Sequence, residues 1–279
     1  MENVLINIDS RFRDKLNFPN TGKFTYNLNE VIKNVVYIRL SSFEFLNVQP
    51  VFLAEYYNIS FMIVLETLDT VTITIQEGNY SSDILVNYIQ GQLDLANNTY
   101  STNFVVNWDV ISLKITFSNT TPFSLIFSNG THFYSPLGYY LGFRFTDDKY
   151  DMYKTGQPIK KTLGITTYYW HADTVLDISK DKYLYLRLND YGVIYNDILE
   201  KNLFAKIILG NTLYVQDNGA NLLTKMYKFK QPVNLSKFDI ELISPVGYTI
   251  NMDQINYSFT LEIGQIYDNR IFETFNYKV

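Results

Sequence analysis

The sequence predicts an all-β fold, a sandwich or a barrel, from three observations. Short segments that alternate apolar and polar residues recur along the chain, and turn residues separate them. Aromatic residues are abundant, with 24 Tyr and 20 Phe among 279 residues, and both types favour strands. Only one stretch has the apolar spacing of a substantial helix. We therefore expect a large β-rich protein with a single main helix.

That helix belongs to a strand–turn–helix stretch between Thr70 and Leu95. Residues 70–76 alternate, with the apolar side chains on one face, which predicts a half-buried strand. Gly78 lies in a turn, and Ser81, Ser82 and Asp83 are residue types that favour a helix N-terminus. Apolar residues then recur at helical spacing, at Ile84, Leu85, Tyr88, Ile89 and Leu93. Asn97 and Asn98 predict the end of the helix.

The remaining apolar segments predict strands on both sides of this stretch. Residues 146–162 are polar and contain Gly156 and Pro158, so they predict a linker or an exposed loop. The predicted strands are 3–9, 23–28, 34–46, 58–65, 104–107, 111–117, 123–127, 165–170, 183–188, 205–209, 238–243 and 257–263.

Composition and charge exclude several functional classes. The net charge is −5 and no cluster of five or more Lys and Arg occurs, so we expect no nucleic-acid partner. The absence of Cys excludes disulfides and thiolate chemistry, and it fits maturation in reducing cytosol. The first residues do not form a signal peptide, and no run of 18 apolar residues predicts a transmembrane segment.

Residues that could carry chemistry are few, and their spacing matches no catalytic or metal-binding motif. The two His residues lack a nucleophile elbow and a zinc motif, and the Asp clusters lie in polar segments where Asp commonly forms turns. We therefore expect a non-enzymatic protein with no catalytic residue, no cofactor and no metal. The residues considered are His132, His171, Asp147, Asp148, Asp151, Asp173, Asp177 and Asp181.

Seven N-x-S/T sequons occur in the sequence. Because no export signal accompanies them, we interpret them as a consequence of heavy Asn usage and not as glycosylation sites. They begin at Asn58, Asn79, Asn97, Asn119, Asn129, Asn234 and Asn256.

The segment after the first strand holds the candidate interface residues Arg11, Phe12 and Arg13. Two arginines flank an aromatic ring there, and Arg is over-represented among the anchors of protein interfaces. The alternative is that these are exposed charges that end a strand. We expect Arg11 and Arg13 to pair with a neighbouring subunit if the first interpretation holds.

Several motifs occur in an order that resembles one protein family. Ser10 to Asp14 reads SRFRD, Ile75 to Tyr80 leads from a strand into the helix, and Leu141-Gly142-Phe143 follows later. This succession resembles the minor capsid proteins of nucleocytoplasmic large DNA viruses, the giant icosahedral viruses. It covers roughly the first half of the chain.

The resemblance implies a jelly-roll-type β-sandwich. From the helix-bearing segment we expect, in addition, a small α+β elaboration carrying one main helix. We expect one sandwich unit over residues 1–279, with residues 58–145 as the inserted elaboration. The implied function is a structural role in the virion capsid, assembled in the host cytoplasm, as cement between capsomers or as the vertex penton. The implied partners are the major capsid protein and other minor capsid proteins, with a homopentamer for a penton.

A carbohydrate- or receptor-binding β-sandwich module on the virion surface is the alternative function. Jelly-roll folds also occur in lectins, and exposed aromatic rings can stack on sugars. Trp108 and Trp170 are the candidate platforms for such stacking. A glycosidase that uses two carboxylates is a third alternative.

Overall fold

The computed structural model describes residues 2–127, 136–144, 153–155, 157–162, 165–196, 199, 202–210, 214–217, 226–250 and 255–267. His132, Asn129, Asp147, Asp148 and Asp151 lie outside the described residues. The chain divides into two compact units, which we describe separately. Unit 1 comprises Met1–Gln49 and Asp181–Val279, and unit 2 comprises Pro50–Lys180. Residues 58–145, the predicted elaboration, lie within unit 2.

About half of the described residues form antiparallel strands, and one long helix lies in unit 2. The helices are α1 (Ser82–Tyr100) and α2 (Leu137–Tyr140). The strands are β1 (Glu2–Asp9), β2 (Lys23–Leu46), β3 (Ser60–Leu65), β4 (Thr70–Thr74), β5 (Val105–Asp109), β6 (Lys114–Asn119), β7 (Phe123–Ile126), β8 (Tyr153–Thr155), β9 (Gln157–Thr162), β10 (Ile165–His171), β11 (Tyr183–Leu188), β12 (Ala205–Ile208), β13 (Tyr214–Asp217), β14 (Tyr227–Ile243) and β15 (Ser258–Gln265).

Unit 1 is one antiparallel sheet in the order β1-β15-β2-β14-β11-β12, with β13 paired to β2. The two strands predicted at 23–28 and 34–46 are a single 24-residue strand, β2. Its pairing with β14 shifts register near Asn34, which has a positive φ of 54°. The polar residues between the two predicted strands therefore continue the strand through an irregular stretch.

The sheet of unit 1 curls until the two ends of β2 reach the same side chain. Phe24 and Phe43 would lie about 60 Å apart in a straight strand. Their rings instead lie 6.1 Å and 5.7 Å from the ring of Tyr257, measured between centroids. Because the two ends of the curled sheet meet around these rings, unit 1 encloses a sandwich-like core. Ile8, Leu186 and Phe259 belong to the same fully buried cluster.

Unit 2 is a two-sheet sandwich covered by α1. One sheet has the order β4-β3-β7-β8, and the other has the order β5-β6-β10-β9. The two sheets meet through Phe61 of β3 and Phe117 of β6, whose ring centroids lie 5.5 Å apart. The inner face of α1 adds Leu85, Ile89 and Leu93 to this core, and all three are fully buried. The predicted all-β sandwich with one main helix is thereby confirmed.

The predicted helix differs from α1 at its C-terminal end. Ser81 is the N-cap residue and Gly78 has the positive φ, 143°, that a turn with Gly allows. The helix continues past Asn97 and ends at Ser101, in the left-handed region. Asn97 does not break the helix, because its side chain binds the chain that follows, with Oδ1 accepting from the N–H of Phe104 at 2.7 Å.

The predicted linker at 146–162 contains two strands, β8 and β9. β9 is polar in sequence and lies at the edge of its sheet, where it pairs only with β10 among the described strands. An edge strand tolerates Pro158 because one side of its backbone needs no partner. The prediction of a linker was therefore wrong for this part of the segment.

The Leu141-Gly142-Phe143 motif belongs to the core of unit 2. Phe143 is fully buried and its ring stacks on Phe127 at 4.8 Å between centroids. Gly142 has a φ of 90°, and a Cβ there would lie 2.3 Å from the carbonyl oxygen of Thr174. Only Gly satisfies both conditions, so this motif serves packing.

Candidate assembly surfaces

The segment 10–22 after β1 is held from inside by Arg13. Its guanidinium donates to the carbonyl oxygens of Phe18 at 2.8 Å, Ser10 at 2.9 Å and Pro19 at 2.8 Å. The side chain is buried, contrary to the expectation of an exposed charge at the end of a strand. Since these carbonyls use its donors, Arg13 stabilises the loop, and the interface hypothesis narrows to Arg11 and Phe12.

Arg11 and Phe12 lie on the outside of the same loop. Arg11 Nε donates to Oδ2 of Asp9 at 2.8 Å. Burial raises the pKa of Asp9, but the hydrogen bonds and charge of Arg11 outweigh it and hold that pKa below its usual value. Phe12 is 78% exposed, and Leu16 is also exposed. We call Arg11, Phe12 and Leu16 the β1-loop surface, since they expose one charged and two apolar side chains on a well-bonded loop.

A second apolar surface is the tip of the hairpin between β5 and β6. Ile111 is 91% exposed, and Val110 and Leu113 beside it are also exposed. Asp109 fixes the turn, because its Oδ1 accepts from the N–H of Ile111 and its Oδ2 from the hydroxyl of Ser112, each at 2.9 Å. The backbone N–H of Ile111 is the main cause of a lowered pKa for Asp109. Asp109 therefore fixes the backbone of the turn that carries these apolar side chains.

A third surface is the outer flank of α1. Ile84, Tyr88, Gly91 and Leu95 follow each other at spacings of four, three and four residues, which places them on one side of a helix. Ile84 and Leu95 are exposed, and Tyr88 is half-buried. Apart from its chain neighbours and the helix's own backbone, no atom lies within 4 Å of the position that a Cβ on Gly91 would take. The α1 flank thus offers a narrow apolar stripe with open space at its centre.

The two tryptophans do not form an exposed sugar-binding platform. In the pairing of β5, β6 and β10, Trp170 lies opposite Phe117 and Trp108 lies opposite Ile115. Directly paired residues share a face of the sheet, and both partners are fully buried. Trp108 and Trp170 therefore face the core of unit 2, and the geometry does not favour the carbohydrate-binding alternative.

Among the described candidates for catalysis, His171 and Asp173 have structural partners. Nδ1 of His171 lies 2.8 Å from the hydroxyl oxygen of Thr116, and the imidazole packs edge-on against Tyr169 at 4.9 Å between centroids. Asp173 accepts from the N–H of Arg144 at 2.8 Å. Within the described ranges, no group of three or more His, Cys, Asp or Glu side chains is arranged to hold a metal ion.

A polar cleft in unit 1 contains Arg187, Asp190 and Glu241, and the arginine pairs with both acids. Arg187 Nη1 lies 3.2 Å from a carboxylate oxygen of Glu241 and Nη2 lies 3.3 Å from Asp190. The other oxygen of the buried Glu241 accepts from the hydroxyl of Thr249 at 2.7 Å. This network links β11 and β14 and supports the sheet.

Two of the sequon asparagines are buried parts of the fold. Asn58 accepts from the N–H of Leu53 at 2.8 Å and donates to the carbonyl of Val51 at 2.7 Å. Asn119 accepts from the N–H of Asn103 at 3.0 Å and donates to Thr121 at 2.9 Å. A glycan on either amide would require the surrounding structure to open, so these two sequons serve the fold.

The described part of the chain is thus an all-β protein of two units that exposes apolar side chains on well-bonded elements. No described helix is both long and apolar enough to cross a membrane. No family model matches the chain, and no curated protein matches it significantly. Among solved structures, the selenomethionine-labelled mavirus penton protein is similar over 95% of this chain and 100% of that chain, with 12% identity and a TM-score of 0.39. That TM-score is too low to support a conclusion about function.

Proposed function

We propose that the chain is a structural minor capsid protein that packs with capsomers of the major capsid protein in an icosahedral virion. Within that role it acts as cement between capsomers or as the pentameric vertex penton, and it has no catalytic activity. Other minor capsid proteins are further partners, and assembly takes place in the host cytoplasm. No nucleic acid is among the proposed partners.

The observation that carries this proposal is the fixed exposure of large apolar side chains. Phe12 projects from a loop held by the three carbonyl contacts of Arg13, and Ile111 projects from a turn held by Asp109. A loop whose backbone is already fixed loses little conformational freedom when a partner covers its exposed side chains. Such positions suit a protein that packs between many neighbours through several modest interfaces.

The motif succession supports the same proposal from the sequence. The residues that resemble minor capsid proteins include Ser10 to Asp14, which form the turn that carries Phe12, and Leu141-Gly142-Phe143, which complete the core of unit 2. One motif fixes a loop and the other fixes a core. Both are consistent with a structural protein that acts through contacts of its surface with neighbouring subunits. His171 and Asp173, which have partners in the sheet and in a loop, support the absence of catalysis.

The copy number in purified virus particles tests the proposal. Quantitative mass spectrometry against the major capsid protein would give about sixty copies for a penton, five at each of twelve vertices. Several hundred copies or more would identify cement between capsomers. Absence of the chain from purified particles would overturn the capsid function altogether.

Single substitutions then test whether the proposed surfaces make the contacts. Phe12→Ser and Ile111→Ser should each lower incorporation into particles by about tenfold, as expected for anchors of an interface. Both should leave stability within about 0.5 kcal/mol, because the side chains are exposed. Leu68→Ser is the matched control, since Leu68 is exposed at another turn of unit 2 and belongs to none of the three surfaces. Equal incorporation of all three variants would contradict the assignment of the surfaces.

A further inference from the structure

β1 forms one end of the sheet of unit 1 and offers a long open edge. It pairs with β15 over eight consecutive residue pairs, from Glu2 opposite Gln265 to Asp9 opposite Ser258, without a register shift. No other described strand pairs with β1 on its second side. The pairing of β1 with β15 is therefore regular over the full length of β1, with no bulge.

One hydrogen bond shows which residues of β1 bond to β15 and which direct their backbone groups to the open edge. The N–H of Ser10 donates to the carbonyl of Tyr257 at 2.9 Å, in continuation of the same register. In an antiparallel pair, alternate residues direct both backbone groups toward the partner. The even-numbered residues of β1 thus bond to β15, and the N–H and C=O groups of Asn3, Leu5 and Asn7 point to the open edge.

This edge lacks the usual features that prevent pairing with another strand. Edge strands are commonly short, bulged, or carry Lys or Pro. β1 has eight residues, contains no Lys or Pro, and exposes Leu5 by 65% at its centre. At the other end of the sheet, β12 has four residues and carries Lys206, so that edge is protected.

We propose that β1 pairs antiparallel with β1 of a second copy of this chain, joining two sheets across a two-fold axis. The odd-numbered residues supply the hydrogen bonds, and Leu5 lies opposite Leu5 of the second copy. Asn3 then lies opposite Asn7 of the second copy. The occupant is a second copy because two identical strands can pair antiparallel about a two-fold axis, and this register matches apolar with apolar and amide with amide residues.

The charges at the ends of β1 agree with this pairing. Antiparallel pairing brings Glu2 of one copy toward the end of the strand that carries Arg11 in the other copy. Arg11 already neutralises Asp9 and exposes most of its side chain, so it can face a second carboxylate. The register therefore avoids an uncompensated pair of acids. The pairing stands on the edge of β1 and does not rest on the proposed capsid function.

Cysteine cross-linking of the full chain tests the register, because the natural sequence has no Cys. In the proposed pairing the Cα atoms at position 5 of the two copies lie about 5.5 Å apart, within disulfide range. Leu5→Cys should therefore form a covalent dimer under mild oxidation. Asn7→Cys is the matched control, because its two Cα atoms lie about 14 Å apart along the strands and should not cross-link.

Sedimentation of the unmodified chain and three further variants tests the backbone contact. Leu5→Pro removes only the outward N–H, and it should raise the dimer dissociation constant about tenfold or more. Leu5→Lys, which keeps the backbone, should weaken the dimer through a charge on the two-fold axis, and Leu5→Val should retain it. A monomer at high concentration, or equal cross-linking at positions 5 and 7, would overturn the proposal. A pentamer whose stability is the same in all three Leu5 variants would overturn the proposed β1 pairing as well. The capsid function is tested separately, by the particle copy number.

Discussion

The substitution Gly142→Ala should destabilise unit 2 strongly, and Gly91→Ala should stabilise it. Gly142 has a φ of 90°, a conformation that costs a residue with a side chain about 1–3 kcal/mol. A new Cβ would also lie 2.3 Å from the carbonyl oxygen of Thr174 and 2.9 Å from that of Val175. Displacing both backbone groups adds about 1–3 kcal/mol, as for other overpacked sites.

Gly91 provides the opposite case within the same unit. It lies in the middle of α1, and a Cβ there would meet nothing within 4 Å. Ala is favoured over Gly in a helix interior by about 0.5–1 kcal/mol, so Gly91→Ala should raise the free energy of unfolding by that amount.

Tryptophan fluorescence during urea unfolding measures both effects in unit 2. The chain has two Trp residues, Trp108 and Trp170, and both belong to unit 2, so the signal follows this unit. We expect the midpoint to fall for Gly142→Ala and to rise slightly for Gly91→Ala. A Gly142→Ala variant as stable as the parent would refute the assigned backbone conformation, and a destabilised Gly91→Ala variant would refute the open space beside α1.

Two further predictions concern unit 1. Arg13→Met should lower the free energy of unfolding of unit 1 by about 3 kcal/mol, because three carbonyl oxygens lose a charged donor. Hydrogen exchange of the loop should also accelerate. Lys15→Met, at an exposed neighbouring position, is the control and should change neither the stability nor the exchange rate. Burial raises the pKa of Glu262, but hydrogen bonds from Arg39 and Tyr37 outweigh it, so the folded pKa lies below its usual value. This stabilisation is present above about pH 4.3 and is lost as the pH falls toward the folded pKa. The parent protein should therefore lose more stability in acid than the Glu262→Gln variant. Urea unfolding at pH 6 and pH 3 measures this difference.

Local patterns predicted the elements, but not how the strands join. The alternation in residues 70–76 and the helical spacing after Ser81 correspond directly to β4 and α1. In contrast, the single strand β2 was divided in two, because its irregular middle contains polar residues that break the alternation. That stretch is a strand only because β14 pairs with it through register shifts, and a partner two hundred residues away leaves no local signal.

The candidate surface residues were only partly predictable for a related reason. Arg11 and Arg13 have the same residue type and nearly the same position in the sequence, yet one is exposed and the other is buried. The difference depends on the carbonyls of Phe18 and Pro19, which return to Arg13 only when the loop closes. Ile111 was predicted as part of a strand and lies instead on a turn, because Asp109 captures its N–H and ends β5.

These contacts separate the residues that maintain the fold from those proposed for assembly. Arg13 donates hydrogen bonds to three backbone carbonyls, and a side chain at position 142 would clash with two backbone carbonyls. Substitution of either residue should therefore lower the free energy of unfolding. Phe12, Ile111 and Leu5 are exposed, so their substitution should leave the free energy of unfolding almost unchanged. An assembly defect in variants of the exposed set, at unchanged stability, can only come from lost contacts with a partner. If those variants instead unfold more easily, the exposed side chains support the fold, and neither the capsid contacts nor the β1 pairing would explain their position.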